Sequence, residues 1–106
     1  VYREAPPPQC LADAVSCLWW SENDGPKRIV PDGCLDLIVG DGRVFVAGPD
    51  TGVWESPIRA ALHGIRFRPG QAPRVLGVAA AELRDQRVEL PDLWSRKGVL
   101  TAERLL

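Results

Sequence analysis

The chain holds one imidazole, His63, and three thiols, Cys10, Cys17 and Cys34. A nucleophilic site needs an activated Ser, Cys or Lys beside a base. His63 alternates instead with Ile65 and Phe67 on an apolar strand face, so it reads as a structural or half-exposed histidine. G-x-S-x-G, H-E-x-x-H and phosphate-loop patterns are absent. The cysteines offer no C-x-x-C pair, and zinc sites need close ligand spacing. They are expected to be buried, unpaired and unmetallated. Gly40, Gly42, Gly48 and Gly52 fall at turns and make no phosphate cradle. Catalytic residues, metals and cofactors are therefore all expected to be none.

Two groups of residues remain. Trp19 and Trp20 are adjacent, so on a strand only one can face inward; the other is left for a pocket wall or a subunit contact. Asp36 shares a strand face with Ile38, while Arg66 and Arg68 share one with Leu62 and Gly64. If those strands neighbour each other, Asp36 can meet Arg66 or Arg68 in a carboxylate–guanidinium pair. Such a pair either fixes register or leaves an arginine for an anionic or polar ligand, with Gly64 giving room beside it.

The elements that must position these groups are short. Leu11, Ala14, Val15 and Leu18 follow helical spacing, although Cys17–Trp20 could equally begin a strand. Ser21 to Pro26 is a loop by composition. Strands are expected at Lys27–Val30, Cys34–Val39, Arg43–Ala47, Val53–Glu55 and Ala61–Phe67, with Pro31-Asp32-Gly33, Gly40-Asp41-Gly42 and Gly48 to Gly52 as turns. Both faces of Leu35–Val39 and of Arg43–Ala47 carry apolar residues, so both faces of the sheet should be covered. Pro73 suits the first turn of a helix ending at Leu76, and Val78–Arg84 a further helical turn or two. Val88–Trp94 reads as irregular, and Thr101 as the N-cap of a last helix. Strands followed by helices give an α+β fold, a small antiparallel sheet curled toward a barrel.

The 106 residues suit a single domain, residues 1–106, with 45% apolar and 25% charged residues and a net charge of -1. Scattered arginines and so small a net charge argue against nucleic-acid binding by this segment alone. No apolar run approaches the ~20 residues of a membrane span, so no membrane association is expected. The odd cysteine count and the lack of a signal sequence point to the cytoplasm. The chain opens at Val1 and contains no Met, which fits a piece of a longer protein.

Together these segments resemble the N-terminal domain of a subset of AraC-type transcription regulators. The resemblance is carried by Tyr2-Arg3-Glu4, Pro6 to Pro8, Leu11 to Trp19, Ile29 to Ile38 (with Pro31-Asp32-Gly33-Cys34 and Asp36-Leu37), Val46 to Thr51, Gly64 to Gly70, and Leu83 to Trp94. It implies a cupin-like half-barrel followed by short helices, acting as a regulatory module that senses a small-molecule effector, pairs subunits as a homodimer, or both. DNA would be contacted only through a helix-turn-helix region outside this chain. Within such a half-barrel, Trp19, Trp20, Asp36, Arg66 and Arg68 are the candidate ligand-binding residues. The competing reading is a small cupin-like enzyme or metal-binding protein, which would need more imidazoles or carboxylates converging than His63 and the loop acids offer.

Overall fold

A computed structural model of the protein describes residues 2–23, 27–29, 34–40, 42–49, 54–56 and 60–105. Its strands are β1 (Tyr2–Ala5), β2 (Val15–Asn23), β3 (Lys27–Ile29), β4 (Asp36–Gly40), β5 (Arg43–Ala47), β6 (Trp54–Ser56), β7 (Ala60–Phe67) and β8 (Arg87–Glu89). Two α-helices, α1 (Ala72–Leu76) and α2 (Leu90–Leu105), follow the longest run of strands. Six strands form one antiparallel sheet in the order β1-β2-β7-β4-β5-β8, and β3 pairs with β6 in a separate two-stranded ribbon. The fold is α+β, as expected.

Several elements differ from expectation. The helical spacing of Leu11 to Leu18 does not make a helix. A 3-10 turn at Gln9–Leu11 and a turn over 12–14 lead into β2, which runs on through Ser21–Asn23 where a loop was expected. Of the two readings open for Cys17–Trp20 the strand holds, and the alternation of Cys17, Trp19 and Ser21 carries it into the polar segment expected as a loop. A register shift between Val15 and Cys17 moves the strand from one sheet face to the other, which a plain alternation cannot show. Tyr2–Ala5 is a strand although prolines follow it; proline stops a ladder without preventing one before it. Val88–Trp94 is not irregular: Arg87–Glu89 is the edge strand β8, and α2 starts at Leu90. Thr101 lies inside α2, which starts eleven residues earlier at Leu90, and not at the start of a helix. The turns at Pro31-Asp32-Gly33, at Asp41 and at Asp50 to Gly52 lie outside the described residues, as do Asp24 to Pro26.

One face of the sheet packs on the helices. Leu35, Val39, Val44, Val46 and Phe67 meet Ala72, Leu76, Leu83 and Leu90 there, and Leu37 and Val88 flank them. Burying such side chains stabilises by about 1.5–3 kcal/mol each, which makes this the principal core. Pro73 stands in the first turn of α1, as expected, and Gly77 ends it in the left-handed conformation, donating its N–H to Pro73 O at 2.8 Å. Trp94 fastens α2 to α1 by donating Nε1–H to Leu76 O at 2.9 Å. The opposite sheet face has its own smaller cluster of Cys17, Trp19, Ile38 and Ala47. Both faces are thus covered, as the double apolar pattern required. Among the described residues no helix is long and apolar enough to cross a membrane.

Candidate functional site

Register places the polar residues. Opposed residues in an antiparallel sheet share a face. Glu4 lies opposite Trp19, Trp19 opposite Gly64, Gly64 opposite Ile38, and Ile38 opposite Phe45. One step along, Cys17 lies opposite Arg66, Arg66 opposite Asp36, and Asp36 opposite Ala47. Tyr2 and Ser21 oppose each other on the same face. The face away from the helices therefore gathers Tyr2, Glu4, Trp19, Ser21, Asp36 and Arg66 from four different strands.

Arg66 is the hub. Its Nε stands 3.4 Å from Asp36 Oδ1, an ion pair by distance without the alignment of a hydrogen bond. Its Nη1 donates to Glu4 Oε2 at 3.3 Å. Among the described residues, two carboxylates thus flank one guanidinium. The same Glu4 oxygen accepts a hydrogen bond from the Tyr2 hydroxyl at 2.6 Å. Burial first, and then this bond to a carboxylate, push the Tyr2 phenol up to about 12 against the opposing pull of Arg66.

Trp19 forms the floor. The residue is 6% exposed, and its ring stacks on Tyr2 with centroids 6.3 Å apart and planes inclined by 19°. Its indole N–H, a donor only, has no hydrogen-bond partner, which is costly for a buried polar group. Gly64 is what lets the ring in. A Cβ there would come within 2.7 Å of Trp19 Cζ2 and 2.6 Å of Leu37 O. The space beside Gly64 is therefore taken by the Trp19 indole and is not left for a ligand, which corrects the sequence-based expectation.

The other expected residues separate. Trp20, 42% exposed, points to the helix-side face between Arg3 and His63 and is no part of the cluster. Arg68 lies beyond the end of β7, where its Nε donates to Ala12 O at 2.7 Å, so Asp36 pairs with Arg66 alone of the two. His63 is exposed. None of the three cysteines is in a disulfide; Cys17 is buried and Cys34 partly so, but Cys10 is exposed, contrary to expectation, because it lies in the 3-10 turn outside the sheet. The side chain of Trp54 lies outside the described residues. No three His, Cys, Asp or Glu side chains among the described residues come together as a metal-ligand set. Tyr2, Glu4 and Ser21 were missed. Their signal was the alternation of Tyr2 and Glu4, legible only once β1 is known to be a strand.

Elsewhere, Arg96, Lys97, Leu100 and Arg104 border an open surface depression on α2. No curated protein and no solved structure matches the chain significantly. A family model described as "Domain of unknown function (DUF6597)" matches residues 3–89, which contain the cluster around Arg66 and Trp19 except for Tyr2. Over that span the chain belongs to the DUF6597 family.

Proposed function

We propose that this chain is the regulatory domain of a cytoplasmic AraC-type transcription regulator, sensing a small molecule and pairing subunits, with DNA held by helix-turn-helix elements elsewhere in the parent protein. The observation that carries the sensing role is the unpartnered indole N–H of Trp19, 6% exposed and set among Arg66, Asp36, Glu4 and Tyr2. In this reading the sheet is a cupin-like half-barrel, and the Trp19 face is its inner face. A ligand carbonyl or hydroxyl oxygen would satisfy the indole. Because two carboxylates already flank Arg66, a neutral polar effector fits better than an anionic one. The motif resemblance from Tyr2-Arg3-Glu4 to Leu83–Trp94 supports the placement among regulators.

The experiment is a transcription reporter at the operator of the parent protein. Deleting residues 1–106 is expected to abolish the regulated change in output while the helix-turn-helix region still binds the operator, more weakly for want of subunit pairing. A parent protein that binds no operator at all would overturn the reading.

A further inference from the structure

We propose that two copies of this chain pair through the outer edge of β8, joining their sheets antiparallel about a twofold axis. This rests on the subunit-pairing part of the function proposed above and names the surface that does it. Among the described residues the six-stranded sheet ends at β1 and β8, and an edge strand is a ready template for another strand.

Symmetry decides between the two. When identical edges pair antiparallel about a twofold axis, the same sheet face is up in both copies. Opposed residues must then share a face, which allows only certain registers. At β1 the registers centred on Arg3 or on Glu4 oppose like charges directly, and those centred on Tyr2 or on Ala5 set no opposite charges against each other. At β8, Arg87 and Glu89 lie on one face and Val88 on the other. The register centred on Val88 sets Val88 against Val88 and Arg87 against Glu89 twice. The neighbouring registers, centred on Arg87 or on Glu89, again oppose like charges. The sequence Arg87-Val88-Glu89 is thus self-complementary in one register and repulsive in those beside it, while no register of β1 pairs opposite charges.

Arg87 and Glu89 also have contacts within their own chain. Arg87 Nη1 donates to Gln86 O at 3.1 Å, and Glu89 pairs with Arg43 at 3.3 Å. A carboxylate has acceptor sites for two cations, so the second pair adds to the first. A seam of three residues buries less than the ~1,200–2,000 Å² of a stable interface, so the dimer is concentration-dependent.

The test is sedimentation equilibrium of the 106-residue chain over a wide concentration range. The mass should rise from monomer toward dimer with concentration. Arg87→Glu and Glu89→Arg should each hold it at the monomer, and the double exchange should restore the dimer; thermal melts check that each variant is folded. A wild-type chain that stays monomeric overturns the proposal. A dimer unmoved by either single exchange overturns this interface and leaves the pairing role standing.

Discussion

Arg66 on β7 and Asp36 on β4 stand directly opposite each other, with Nε 3.4 Å from Oδ1 in the middle of the six-stranded sheet. Asp36 keeps only 14% of its side chain exposed and Arg66 23%. A partly buried pair of this kind is expensive to break from one side, because the remaining charge is left in a poor solvent.

Arg66→Ala should therefore lower unfolding stability by roughly 3 kcal/mol, the lower end for a buried pair. Urea denaturation measures it. A loss below about 1 kcal/mol, as for an exposed pair, would show that the pair does not hold the register.

Gly64→Ala should cost at least about 2 kcal/mol, since the new methyl meets Trp19 and the backbone of Leu37. Part of that cost depends on the indole. In a Trp19→Phe background the same substitution should cost less, with a coupling of about 1 kcal/mol or more in a double-mutant cycle. Strict additivity would mean that Trp19 does not occupy the space over Gly64.

Ser95 lies inside α2 at φ 52°, ψ -130°, a region open to glycine and strained for serine. Ser95→Gly should raise stability by about 1 kcal/mol through relief of that strain. A melting temperature that stays level or falls would contradict the break in the helix.

Tyr2 is the single tyrosine, so its ionisation can be followed by ultraviolet absorbance. It should titrate near 12, with burial as the larger cause and the hydrogen bond to Glu4 next. The folded value lies above the ordinary 10, so the neutral phenol favours the fold. That contribution is complete below pH 10 and is lost as pH rises through about 12. It is small, because 46% of the residue is exposed. Glu4→Gln should move the titration back toward 10. No movement would mean that the carboxylate does not accept from the phenol.

Much of this architecture was legible in the residues. The hairpin of β4 and β5, the long strand β7, the proline-started α1 and the two-sided apolar pattern all follow from alternation and turn chemistry. Face assignment offered Asp36 either Arg66 or Arg68, and the strand register selects Arg66. What failed was local. A bulge between Val15 and Cys17 disguised β2, a proline run hid β1, and three residues of β8 were too few to show a period. The cluster around Trp19 was half visible for the same reason, since Tyr2 and Glu4 reach it only through β1. That Gly64 seats an indole, and not a ligand, depends on packing no pattern encodes.

The central claim is that the Trp19 face receives the effector. The direct measurement is the indole Nε1–H resonance of Trp19 in nitrogen-15-labelled protein, assigned with Trp19→Phe and followed while neutral carbonyl- and hydroxyl-bearing molecules are added. The account predicts that a molecule which switches the parent regulator shifts this resonance saturably, and does so far less in Arg66→Lys. A molecule that switches the regulator, binds the chain and leaves the Trp19 resonance in place would contradict it.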